Sequence, residues 1–142
     1  MKEQNFKNHQ QFVTGYHRVT LIAILLFLIS AINYIIKCTP ENKYLASMLC
    51  LLAVILVLMS WYLRSFALKA QDRAIRAEEN LRHFVLTGKL LPSQLRMSQI
   101  IALRFAPDAE FINLAEKAVK ENLSNKEIKL SIQNWKADWN RV

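Results

Sequence analysis

The sequence predicts an all-α membrane protein: a two-helix transmembrane hairpin whose second helix continues as a cytoplasmic stalk, followed by a small bundle of about three short helices. Hydrophobic residues make up 53% of the 142 residues, yet mean hydropathy is only slightly positive, because apolar residues concentrate between Val19 and Leu63. The chain has only two Gly and three Pro, which favours helix over strand. Neither occurs between Tyr44 and about Leu86, so this stretch is predicted to be one helix.

The amino-terminal part is predicted to enter the membrane. Residues 1–18 form a polar cytoplasmic lead, and residues 19–36 form the first transmembrane helix. About 18 residues at ~1.5 Å per residue span ~27 Å, which is enough for the hydrocarbon core of a bilayer. No small-residue cleavage pattern follows, so we expect this span to be retained. Residues 37–43 form an external turn, because Pro40 stops a helix.

Residues 44–63 are predicted to be the second transmembrane helix. Four small side chains fall on one of its faces, and we call these residues the small-residue stripe: Ala46, Cys50, Ala53 and Ser60. Small side chains let helices approach closely in lipid. We expect the stripe to pack on the first span in preference to a second copy of the chain.

Residues 64–87 are predicted to form the stalk. Its apolar residues alternate at spacings of four and three, typical of a short coiled coil. We call these residues the seam: Ala70, Ala74, Ala77, Leu81 and Phe84. The sequence leaves three partners open for the seam: a second copy, another protein, or the protein's own carboxyl-terminal module. Glu78 and Arg82 are four residues apart, which predicts an ion pair on the solvated side.

Residues 88–142 are predicted to be a small helical module. Gly88 suits the carboxyl-terminal cap of the stalk. We expect a first helix from about residue 92 to residue 105, a second that begins at Pro107–Asp108, and a third opened by a capping box at Ser124–Glu127.

The last helix is expected to bury one apolar stripe. Its members are Ile128, Ile132 and Trp135, and for Trp139 the sequence leaves three roles open: this stripe, the membrane interface or a partner. A module of about 53 residues has a marginal core of its own. It should therefore lean on the stalk, on another subunit or on the bilayer.

The net charge of +8 is best explained by the membrane. Basic residues flank the predicted spans more densely than the turn, which places both termini in the cytoplasm. The candidate contacts to lipid headgroups are Arg18, Arg64, Lys69 and Arg73. Basic residues alternate with acidic ones and form no patch with aromatics, so no nucleic-acid partner is expected.

No catalytic, metal or cofactor site is predicted. The sequence has no Gly-rich phosphate loop, no HExxH and no nucleophile elbow. We therefore expect a non-catalytic interaction or accessory subunit whose partners are the bilayer and other membrane subunits or further copies. A self-assembling homo-oligomeric channel or membrane-remodelling protein is the alternative. An enzyme acting on lipid would rest only on Arg73, Arg76, His83 and nearby acids, and His83 is expected at the surface.

Three segments resemble a known family. They are MKEQNFKNH at residues 1–9, QIIALRFAPD at residues 99–108, and ENLS with KEIK between residues 121 and 129. The chain is similar here to a family of small uncharacterised bacterial inner-membrane proteins, a domain of unknown function with an ALRFA-type cytoplasmic segment. The resemblance implies a location in the bacterial cytoplasmic membrane. It implies no activity, because the family has none assigned.

Overall fold

A computed structural model describes residues 4–9 and 12–138 of the chain. The regular structure in this part is all helical, as the sequence predicts, with five α-helices and no strand among the described residues. The chain divides into two compact units. We call residues 12–67 the apolar unit, and residues 1–11 with 68–142 the terminal unit.

The apolar unit begins with a π-helical segment, Gly15–Thr20, which runs directly into α1, Leu21–Lys37. Helical structure thus starts at Gly15 rather than at Val19. A short 3₁₀ turn, Pro40–Asn42, precedes α2, Lys43–Thr87. Thr39 is extended, with a ψ of 158°, because the proline ring that follows disfavours helical geometry there.

Two helical stretches are long and apolar enough to cross a membrane by length and composition. They are Gly15–Lys37 and Pro40–Thr87. In each stretch we consider the most apolar segment of 18 residues. Only 6% of this segment is buried within the structure in the first stretch, and 11% in the second. A core helix of a soluble protein passes the same test of length and composition, but it is mostly buried.

In the terminal unit, α2 ends at Thr87 and Gly88 follows with a φ of +72°. The Gly88 N–H donates to the Phe84 carbonyl at 2.7 Å. Left-handed geometry of this kind favours glycine at the end of a helix, so the predicted cap is confirmed.

The first helix of the module is shorter than predicted. It is α3, Met97–Leu103, and residues before it form a turn closed by a bond from Leu95 N–H to the Pro92 carbonyl at 3.1 Å. The Gln99 side-chain oxygen accepts from Arg96 N–H at 2.8 Å. This bond satisfies a backbone donor at the helix start, which places the start next to Arg96.

The two remaining helices begin where the sequence predicts. They are α4, Asp108–Lys120, and α5, Asn125–Ser131. The predicted capping box is confirmed: Ser124 Oγ accepts from Glu127 N–H at 3.3 Å, and Glu127 Oε2 accepts from Ser124 N–H at 2.7 Å. Bonding to Ser124, led by its backbone N–H, lowers the pKa of Glu127.

The core of the terminal unit joins α2 to the module. Ile75 of α2 belongs to the same buried cluster as Phe105, Phe111 and Ile128. The module therefore leans on α2, one of the supports that its small size predicts. Ile132 is buried just after α5 ends. The predicted stripe member Trp135 is half-buried with its ring centroid 4.9 Å from that of Phe105, and Trp139 lies outside the described residues.

Candidate partner interface

One face of α2 is covered by the module. Ile75, Glu79 and His83 are buried, and they recur every four residues. At about 100° per residue, this face lies on the opposite side of the helix from the seam. The alternative that the seam itself packs on the module is therefore wrong.

Arg82 connects this face of α2 to the start of α4. Its Nη1 donates to Glu79 Oε2 at 3.0 Å, and its Nη2 donates to the Ala106 carbonyl at 2.7 Å. Its Nε and Nη2 lie 2.7 and 2.6 Å from Asp108 Oδ1. The guanidinium also stands 4.2 Å from the ring centroid of Phe111, a cation–π distance. The predicted pair of Arg82 with Glu78 is wrong, because this network takes the guanidinium.

Glu79 is buried next to Arg82, and this burial changes its pKa. Desolvation raises the pKa of Glu79 above its usual range, and the attraction of Arg82 only partly offsets this. A buried carboxylate depends on such a partner to stay charged. We therefore expect Arg82 to stabilise the packing of this face of α2 on the module.

His83 is buried, not a surface residue as predicted. Its Nδ1 lies 2.7 Å from the Lys89 carbonyl and 3.1 Å from Thr87 Oγ1. Its ring centroid lies 6.0 Å from that of Phe111. The chain after the glycine cap folds back over the histidine, which spacing along α2 does not reveal. His83 therefore does not share an exposed surface with Arg73 and Arg76.

The seam is exposed in the structure. Its three alanines are exposed, and its two large side chains, Leu81 and Phe84, are 63% and 51% exposed. A contiguous exposed apolar face of this kind is typical of an interaction site. Its assignment to a partner stays a prediction.

The small-residue stripe faces α1 within the apolar unit. Ala46 and Ala53 are fully buried, and Cys50 Sγ lies 3.5 Å from the carbonyl of Ala31. Further along the two helices, the Tyr16 hydroxyl donates to the Ser60 carbonyl at 2.5 Å. These contacts agree with the expectation that the stripe packs on the first span.

The predicted lipid contacts lie at the surface. Arg18, Lys69 and Arg73 are exposed and Arg64 is half-buried; the Arg18 guanidinium carbon stands 5.3 Å from the ring centroid of Phe12. Their contact with headgroups stays a prediction. The apolar unit also has a shallow apolar groove, lined by Ile55, Leu58, Met59, Tyr62, Leu63 and Phe66.

The amino-terminal lead contributes to the terminal unit, which sequence analysis missed. Gln4 is buried; its Oε1 accepts from Asp138 N–H at 2.8 Å, and its Nε2 donates to the Asp138 carbonyl at 3.4 Å. His9 Nε2 lies 3.1 Å from Lys129 Nζ, and the imidazole centroid is 5.7 Å from that of Trp135. The available signal in the sequence is the aromatic residue Phe6 within this polar lead.

Among residues 4–9 and 12–138, no group of three His, Cys, Asp or Glu side chains is placed to hold a metal ion. A family model, described as a family of unknown function (DUF6526), matches residues 1–142. The chain belongs to this family. Membership of a family of unknown function is what the sequence resemblance predicts, and it is confirmed. No curated protein and no solved structure matches the chain. DUF6526 brings no activity with it, so a function has to be argued from the geometry.

Proposed function

We propose that this protein is a non-catalytic, membrane-anchored interaction or accessory subunit of a larger assembly in the bacterial inner membrane. The observation that carries the proposal is the position of the seam on α2. One face of that helix holds the module through Ile75 and Arg82, while Leu81 and Phe84 face outward. Large apolar side chains on a regular helical spacing gain stability when a partner covers them.

The membrane anchor is supported by the exposure of the two apolar stretches. Most of the apolar surface of both segments is not buried within the structure, so in water it would be exposed to solvent at a cost in free energy. A bilayer removes this cost, because its hydrocarbon core covers the apolar side chains. The contacts Tyr16 with Ser60 and Ala31 with Cys50 follow the order of an antiparallel pair. They support a transmembrane hairpin with a turn at residues 37–43.

The orientation rests on the basic residues. Arg18 and Arg64 stand next to the two ends of the hairpin that lie away from its turn, and more basic residues follow Arg64 than occur in the turn. By the positive-inside rule, both termini then lie in the cytoplasm. The terminal unit would meet its partners there, at the inner surface of the membrane.

The test measures the mass and composition of the gently solubilised native complex from cells. We expect the wild-type chain to be part of a complex of defined stoichiometry that contains more than one polypeptide chain. Phe84→Asp places a charge in the seam and should release the chain from that complex. Leu130→Asp is the matched control, because Leu130 is 59% exposed on α5, away from the seam. A stable monodisperse monomer for the wild type would refute the proposal.

A self-assembling channel or membrane-remodelling protein is the second candidate function. The apolar groove between Ile55 and Phe66 favours it, because a groove on the outer side of a span offers a contact for further spans. This function predicts a defined homo-oligomer that gives conductance or leakage in liposomes. Liposomes that stay sealed in the presence of such an oligomer would exclude it.

A further inference from the structure

We infer that the seam is an interface with a second copy of this chain, formed as a parallel two-stranded coiled coil. The inference rests on the proposed function, since it names the partner of the same seam. It goes further by fixing the chemistry of that partner and the relative direction of the two helices.

The heptad register of the seam agrees with what the module covers. Ala74 and Leu81 take position a, and the remaining seam residues take position d. In this register Ile75 and Glu79 take positions b and f, on the outer side of a coiled coil. These outer positions are the ones buried against the module. The module therefore leaves the seam at positions a and d exposed, together with Arg73 at position g and Glu78 at position e, whereas Asn80 at the next g is half-buried and accepts from Leu91 N–H at 3.2 Å.

Charges beside the seam select a parallel partner. Arg73 takes position g and Glu78 takes position e, five residues later, and both are exposed. In a parallel coiled coil, position g of one helix meets position e of the next heptad on the other, so Arg73 meets Glu78 of the second copy twice by symmetry. Within residues 4–9 and 12–138, neither side chain forms an ion pair.

An antiparallel arrangement lacks this match. There position g meets position g, and position e meets position e. Arg73 would then meet Arg73 or Asn80, and Glu78 would meet Glu78 or Gln71, without an attractive pair. Copies of one membrane protein also insert with the same topology, so their α2 helices run in the same direction.

The seam is short and rich in alanine, which allows close approach but buries little area. Leu81 and Phe84 supply most of its apolar surface. Confinement to the bilayer raises the effective concentration of one copy near another, so a weak interface is sufficient. We therefore place the dimer in the membrane-embedded full chain.

Disulfide trapping in native membranes tests the interface. In a full-length chain carrying Cys38→Ser and Cys50→Ala, single cysteines are introduced by Ala70→Cys and, separately, by Ala77→Cys. Both should give a dimer on mild oxidation, because in a parallel coiled coil each seam residue meets its own counterpart. Arg76→Cys, exposed at position c, is the matched control and should give little dimer. Equal trapping at all three positions would overturn the inference.

Charge reversal tests the direction of the helices. Arg73→Glu and Glu78→Arg should each weaken the dimer about tenfold, since two attractive pairs become repulsive. The double variant should restore most of the wild-type association. Double-variant association no better than that of the single variants would overturn the parallel register.

The two proposals fail in different ways. If Ala77→Cys is trapped only with a different protein, the second copy is refuted and the interaction subunit is retained. If Ala77→Cys forms no disulfide-linked product and the native protein is a monomer, both proposals are refuted.

Discussion

Arg82 Nη2 and Asp108 Oδ1 lie 2.6 Å apart, and this ion pair joins the carboxyl-terminal part of α2 to the first residue of α4. Asp108 is suited to that end of a helix, because a carboxylate there interacts favourably with the helix dipole. Its side chain is 67% exposed, whereas that of Arg82 is only 12% exposed. Arg82 is therefore the buried member of the pair, and Glu79 and the Ala106 carbonyl depend on it for their hydrogen bonds.

Arg82→Ala should destabilise the terminal unit by about 2–4 kcal/mol, because it leaves a buried Glu79 carboxylate and the Ala106 carbonyl without their donors. Asp108→Asn should cost at most about 1 kcal/mol, as expected for an exposed ion pair. Denaturant unfolding of the full-length protein, monitored by hydrogen exchange in α4, measures the loss of stability in both variants. Arg76→Ala is the exposed control on the same helix. Equal losses for Arg82→Ala and Arg76→Ala would show that the network contributes nothing.

Glu79 should make the terminal unit less stable as the pH rises. Burial raises the pKa of Glu79 in the folded state. A raised pKa means that the folded state binds the proton more tightly, so this contribution is present below pH 4.5 and lost as the pH rises through the folded value. We expect the unfolding free energy of wild type minus that of Glu79→Gln to fall above pH 4.5. A difference that stays constant with pH would contradict this prediction.

Glu110 should show the opposite dependence. Desolvation acts to raise the pKa of Glu110, but hydrogen bonds from Gln133 and Asn134 together lower it. Its contribution is therefore present above pH 4.5 and lost as the pH falls through the lowered value. The unfolding free energy of wild type minus that of Glu110→Gln should shrink below pH 4.5, measured in the same titration. A difference that grows on acidification would refute it.

Gln4→Ala should loosen the contact between the amino-terminal lead and Asp138. It removes the acceptor of Asp138 N–H, and the lost hydrogen bond should cost about 1–2 kcal/mol. Amide exchange at Asp138 should become faster, while exchange in α4 stays unchanged. Lys7→Ala is the control, because Lys7 is exposed in the same segment. Unchanged exchange at Asp138 would show that the lead does not hold this end of the chain.

Local signals in the sequence predicted local structure well. Gly88, Ser124 and Pro107 each mark a helix boundary that the structure has, because caps depend on neighbouring residues alone. The packed face of α2 was not predictable in the same way. Apolar periodicity points to the seam, whereas the buried face carries Glu79 and Arg82.

That polar face is buried because its charges satisfy each other and the Ala106 carbonyl. Two of the partners of Arg82, Asp108 and Ala106, lie more than twenty residues away along the chain. The docking of Gln4 on Asp138 joins residues 134 apart. No pattern within one helix records contacts of this range.

Ala53→Leu should separate the two helices of the apolar unit. Ala53 is fully buried on the side of α2 that carries Cys50, whose thiol lies 3.5 Å from the Ala31 carbonyl. Added carbons in such a close contact cost about 1–3 kcal/mol, because the helices must move apart. We expect faster modification of Cys50 by a small maleimide in a Cys38→Ser chain held in mild detergent.

The same change at an exposed position of α1 provides the control for Ala53→Leu. Ala23→Leu adds the same carbons where the side chain is exposed, so it should leave the modification rate of Cys50 unchanged. An equal rate in the two variants would mean that the stripe does not hold the helices together. A faster rate only in Ala53→Leu would assign the close approach of α1 and α2 to the absence of side-chain bulk at this position.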